Sequence, residues 1–157
     1  MIRKVIGSLA AAYLLLFNTV FAYEDNELFW IKVDMSLEEA DMIIQSEAEG
    51  RNLKIIKVLH ITKGIEEQGH KDFWKDMRIY LTCSLSMGYK IMKKNPHLAA
   101  YFPCRIFTYR DKDGKLVVGM AKTTPLIKKL KIKDKEAIKT LKHVEKTMRE
   151  IINTLKE

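Results

Sequence analysis

The chain has 157 residues, 47% of them hydrophobic and 31% charged, with 28 Lys+Arg against 20 Asp+Glu and a formal net charge of +8. That balance excludes a disordered, charge-extended chain, and the length fits one domain with an additional segment. The basic excess is interspersed with acids; it serves solubility and permits attraction to anionic lipid, nucleic acid or an acidic partner.

The first 22 residues have the three parts of a secretory signal peptide. Arg3 and Lys4 form the charged start, Val5 to Phe17 the apolar run, and Val20-Phe21-Ala22 presents the small residues a signal peptidase reads. Cleavage is expected after Ala22, leaving 23–157 as a single α+β domain in a periplasmic or secreted location. The rival reading is a retained anchor, since Val5 to Ala22 reaches the lower edge of what spans a bilayer. With the leader removed, 26 Lys+Arg stand against 20 Asp+Glu, a net of +6.

Leu28 to Val33 (LFWIKV) reads as a strand, rich in aromatic and β-branched residues. Ser36 followed by Glu39 makes a capping box for a helix over Leu37 to Glu49, with Leu37, Ala40, Ile43, Ile44 and Ala48 on one face and Gly50 as its stop. Leu53 to Ile61 reads as a second strand, in which His60 is a solvated residue. Thr62 to Asp76 holds two glycines and seven charged residues and reads as a long connection, with Phe73 and Trp74 folding back on apolar surface.

Arg78 to Arg110 concentrates both cysteines, two of the three prolines and four of the six tyrosines. Met77 to Cys83 is the third predicted strand. Thr82 or Ser84 caps a helix running to Lys94, with Leu85, Tyr89 and Met92 sharing its apolar face and Asn95-Pro96 ending it. Arg105 to Tyr109 and Leu116 to Ala121 are joined by the turn signal Asp111-Lys112-Asp113-Gly114. After a cationic connection, Asp134 caps a final helix over Lys135 to Lys156. Its apolar stripe faces the sheet, and Lys139, Lys142, Lys146 and Arg149 fall outside beside Glu145 and Glu150. The order predicts a mainly antiparallel sheet with helices packed on one face.

From Tyr80 to Val118 the chain resembles the Domain of Unknown Function 302 family. The resemblance is carried by Cys83 at a strand end, Tyr89 in the helix, Pro103-Cys104, the strand Arg105 to Tyr109, Gly114, and the strand that follows. It extends over roughly Trp30 to Glu157. Ser84-Leu85 stands where the family often has Asn-Pro, and Arg110 where it often has an acid. The resemblance implies a β-α-β-β-β-β-α-like order with a TATA-binding-protein-like architecture, and supplies no reaction.

The two cysteines lie 21 residues apart, which excludes a Cys-x-x-Cys redox motif and a haem attachment sequence. Three readings stand. A Cys83–Cys104 disulfide would contribute about 3 kcal/mol and needs Cα atoms within about 7 Å. A thiol site would use Cys83 at a helix N-terminus, where the dipole favours thiolate, with Arg105 beside Cys104. Met87, Met92 and His97 could then join the thiols around copper(I). The third reading is two small buried hydrophobes. No Gly-x-Ser-x-Gly, phosphate-cradling glycine loop, His-Glu-x-x-His or EF-hand pattern occurs, so no enzyme class is assigned.

The sequence therefore predicts an exported domain binding a small ligand or partner in a pocket near the cysteines, with Cys83, Cys104, Arg105 and Tyr89 as candidate residues. One alternative is a thiol, sulfur-handling or soft-metal protein. Another is an interaction module docking through the basic terminal helix, on a protein or a membrane surface. Export argues against nucleic acid.

Overall fold

A computed structural model describes residues 21–156; the expected leader lies almost wholly outside them. The strands are β1 (Ala22–Glu24), β2 (Leu28–Val33), β3 (Lys54–His60), β4 (Arg78–Cys83), β5 (Cys104–Arg110) and β6 (Leu116–Ala121). The helices are α1 (Leu37–Gly50), α2 (Ile61–Glu67), α3 (Leu85–Met92), α4 (Pro125–Lys129) and α5 (Lys135–Asn153), with 3₁₀ turns over Pro96–Tyr101 and Thr154–Lys156. All six strands form one antiparallel sheet in the order β1-β2-β6-β5-β4-β3.

Alternation along the strands sorts the side chains into two faces. Phe29, Ile31 and Val33 of β2, Leu116, Val118 and Met120 of β6, Ile106 of β5 and Tyr80 of β4 are buried on one face. Helices α1, α3 and α5 cover that face through Ala40, Ile44, Ile91, Leu141, Met148 and Ile151. This is the predicted α+β architecture. The other face carries an aromatic band: Tyr23 stacks on Trp30 (5.1 Å between centroids), Phe107 on Tyr109 (6.2 Å), and Trp74 meets Tyr109 edge-on (5.3 Å).

Capping decides the helix starts. Ser36 accepts from the Glu39 amide at 3.1 Å, and Asp134 from the Ala137 amide at 2.8 Å. The stop of α1 differs from expectation: Gly50 is the last helical residue, and Asn52 takes the left-handed conformation (φ 59°). Part of the expected long connection is helical, as α2, which has no buried residue. The rest is tied down. Thr62 Oγ1 donates to Trp74 O (2.7 Å) and accepts from Met77 N (2.8 Å), and Arg110 grips Asp76 through Nε and Nη2 (2.7 Å each).

Helix α3 turns differently from the sequence reading. Gly88 and Ile91 face the core, whereas Leu85 and Tyr89 are 86% and 61% exposed. On α5, Glu145 and Arg149 leave the expected outer face. Glu145 is buried and accepts from Thr124 N at 2.7 Å, while Arg149 binds Glu24 bidentately (2.8 and 2.7 Å) and lies 4.2 Å from the Phe29 ring.

Candidate functional site

Strands β4 and β5 set the relation of the two cysteines. Thr82 stands opposite Cys104, and its hydroxyl donates to Cys104 O at 3.4 Å. Cys83 is thus one residue out of register with Cys104, and consecutive strand residues point to opposite faces. Both cysteines are free. The disulfide expected as one reading is not formed, for that reason of register.

Two cavities meet at Cys104. The smaller, of about 30 Å³, lies between the β4–β5 end, α3 and α5; its wall includes Cys83, Cys104, Met87, Met92, Ile91 and Val144. The larger, of about 270 Å³, opens where β2, β6 and β5 reach the 3₁₀ turn and α4; Cys104, Arg105, Tyr101, Leu28, Leu126 and Lys129 line it. Arg105 and Lys129 have no ion-pair partner among the described residues. Lys122, also on this wall, is engaged by Glu24 (2.8 Å) and Asp25 O (3.0 Å), and Glu27 adds one carboxylate at the rim.

The thiols depart from the expected activated state. Burial raises the Cys83 thiol, and burial followed by the neighbouring Cys83 pushes Cys104 up to about 12, against a smaller lowering by Arg105. Desolvation outweighs any gain from the α3 N-terminus, so both are thiols at neutral pH, unsuited to disulfide exchange.

The structure brings Cys83, Cys104, Met87 and Met92 to one cavity wall and Cys104 with Arg105 to the other. Tyr89 joins neither; its ring faces solvent with the Lys93 ammonium 5.1 Å from its centroid. His97 is exposed and also stands apart. Among the described residues no three His, Cys, Asp or Glu side chains gather as a metal cluster. Sequence reasoning missed Tyr101, Leu126 and Lys129. The Thr123-Thr124-Pro125 step, which starts α4, was the signal that the cationic connection turns back on itself.

The family model described as "Domain of unknown function DUF302" matches residues 29–155. An uncharacterized protein of Aquifex aeolicus (strain VF5) is 25% identical over 91 residues, covering 58% of this chain and 56% of that protein. The chain thus spans little more than half the length of this curated relative. The crystal structure of an uncharacterized conserved DUF302 protein from Bacillus stearothermophilus superposes with a TM-score of 0.72 at 18% identity, covering 80% of this chain and 95% of that one. At that identity the likeness is one of fold.

Proposed function

Because the chain belongs to the DUF302 family, whose description assigns no activity, we propose a function from its own geometry: it binds a small anionic ligand with an apolar body in the cavity of about 270 Å³. One observation carries this. Arg105 and Lys129, without ion-pair partners among the described residues, flank a wall whose apolar part is Leu28, Ala100, Ala121, Pro125 and Leu126, with Glu27, Lys122 and Thr123 also on it. A carboxylate or phosphate between them gains charge-assisted hydrogen bonds while its apolar part leaves water. Tyr101 closes one side of the cavity. Convergent polar groups on an apolar cavity are the ordinary build of a small-molecule site.

Export belongs to the same proposal. Its support is the leader itself, Arg3 and Lys4 before Val5 to Phe17 and small residues up to Ala22. The TATA-binding-protein-like architecture implied by the resemblance also stands as a proposal, supported by an antiparallel sheet with helices on one face.

Calorimetric titration with octanoate, and with octanol as an uncharged control, tests the ligand reading. Octanoate is expected to bind and octanol to bind at least tenfold more weakly. The double variant Arg105→Gln, Lys129→Gln is expected to lose at least tenfold in octanoate affinity, about 1.4 kcal/mol. Equal affinity for acid and alcohol, or a variant that binds as the parent does, would sink the proposal.

A further inference from the structure

An antiparallel sheet with one solvated face ordinarily alternates apolar residues inward and polar residues outward. The face that α1, α3 and α5 leave open departs from this rule. One row crosses it in register through all six strands: Tyr23 opposite Trp30, Trp30 opposite Gly119, Gly119 opposite Phe107, Phe107 opposite Ile79, and Ile79 opposite Leu59. None of these residues is charged, and none belongs to the core cluster under the helices. Tyr23 is exposed, while Trp30, Phe107, Ile79 and Leu59 are half-buried. The flanking rows add Val117 and Tyr109 on one side and Ala121 and Leu81 on the other. The cations of this face, Lys32, Arg105 and Lys57, stand only in those flanking rows, and Lys32 is bound to Asp111. We propose that this face is an interface between two copies of the chain, packed sheet against sheet.

Area, relief and charge favour a second copy. Six strands about 4.8 Å apart and about 20 Å long make a face on the order of 500 Å² in plan. With its rim and the relief of its side chains, that supplies the roughly 800 Å² per partner of a standard interface. Gly119 keeps the centre of the row low. A Cβ there would meet Phe107 Cζ and Trp30 Cβ at 2.5 Å, so the Phe107 ring reaches across the sheet over the glycine. A second sheet can then approach to about 10 Å, the usual spacing of stacked sheets, with its strands aligned within about 30°. A two-fold axis parallel to the strands lays β3 of one copy over β1 of the other, β4 over β2 and β5 over β6. Ile79 then meets Trp30 of the second copy. Lys57, opposite Leu81 on β3, comes over the β1–β2 turn, which carries Asp25 and Glu27. Neither Lys57 nor Glu27 has an ion-pair partner among the described residues. The charges at the two ends of the face are thus complementary under that axis.

Sedimentation velocity of the full chain over a dilution series measures the association, and a dimer of micromolar or tighter affinity is expected. The double variant Ile79→Thr, Leu81→Lys is expected to weaken it at least tenfold while the melting temperature stays within a few degrees. A nuclear Overhauser experiment on mixed isotope-labelled and unlabelled chains tests the parent itself. An Ile79 methyl signal to the Trp30 ring is expected between copies. Within one chain these residues are three strands apart, about 14 Å, which is too far for such a signal. A chain that stays monomeric at every concentration would overturn the proposal. So would a dimer that the variant leaves intact and that lacks the Ile79–Trp30 contact; it would be held by a sheet edge or by the apolar leader.

Discussion

Gly119 shows how tightly one residue can be held by two neighbouring strands. It lies on β6 between Phe29 and Trp30 of β2 and Phe107 of β5. A Cβ at this position would meet Phe107 Cζ and Trp30 Cβ at 2.5 Å and Phe29 O at 2.9 Å. No φ constraint demands glycine there; the demand is steric, because the Phe107 ring crosses the open sheet face over the glycine. Two of the three atoms met belong to rigid parts, a Cβ and a carbonyl, so relief requires the sheet itself to move. Gly119→Ala is expected to destabilise the protein by about 1–3 kcal/mol, the usual cost of overpacking. Urea denaturation followed by Trp fluorescence measures it. Phe107→Leu in the same chain should restore part of the loss, because it removes one of the two closest contacts. Nothing in the one-dimensional pattern marked this glycine: it stands in a Val-Val-Gly-Met run whose period reads as strand, and only the close atoms of the two flanking strands give it a role.

Among the elements, those with both a cap and a stripe were legible. Ser36 with Glu39, and Asp134 ahead of a 19-residue helix, announce α1 and α5 because capping atoms and apolar spacing agree. Helix α3 was legible as a helix but not in its orientation. Leu85 and Tyr89 look like core by hydropathy, yet the residues buried on this helix are Gly88 and Ile91. Of the site, the cysteines and Arg105 were legible by chemistry. Lys129 and Tyr101 were not, because α4 and the 3₁₀ turn that bring them together are short and lack a buried stripe of their own. Strand β1 was missed because Ala22 was assigned to the leader and only Tyr23 and Glu24 of its three residues lie beyond the expected cut. What holds it is charge from elsewhere: Arg149 of α5 and Lys122 beyond β6 both reach Glu24. Hydrogen bonds from Arg149, then Lys122, lower the Glu24 carboxyl to about 2. A carboxylate whose folded pKa is depressed contributes stability above its unfolded pKa and loses it as pH falls through the folded one. The attachment of β1 should therefore be complete above about pH 4.5 and fade toward about pH 2. The Lys32 amide, which donates to Phe21 O at 2.9 Å, reports it. Its exchange protection is expected to fall over that window, more steeply than that of the β5–β6 amides, and to be low and pH-independent in Glu24→Gln. Raised salt should weaken the attachment at neutral pH, since the Glu24 carboxylate at its centre is exposed.

At the scale of the whole molecule, the expected cleavage site and the sheet edge coincide. β1 begins at Ala22, which pairs with Ile31, while Tyr23 pairs with Trp30 and Glu24 with Phe29. A cut after Ala22 would remove the first of these three pairs and the Phe21 carbonyl that the Lys32 amide uses. It would spare the Tyr23–Trp30 stack and the Glu24 ion pairs. The trimmed strand would still cover the middle of β2 but would expose backbone near Ile31 and Lys32, the kind of open edge that invites pairing with another chain. The charge network would limit this, since it anchors Glu24, which such a cut would leave in place. Two forms of the protein follow, separable by one experiment. The full sequence is expressed with its leader in a host able to export it, and exported material is compared with cytoplasmic full-length chain. Exported protein is expected to have the mass of a chain starting at Tyr23, a Tyr23–Trp30 contact intact by nuclear Overhauser effect, and an unprotected Lys32 amide. The cytoplasmic chain should protect that amide. Exported protein that keeps the mass of all 157 residues and stays with the membrane would establish the leader as an anchor instead. The complete three-residue β1, with the Phe21–Trp30 and Tyr23–Trp30 contacts, would then be the form at work.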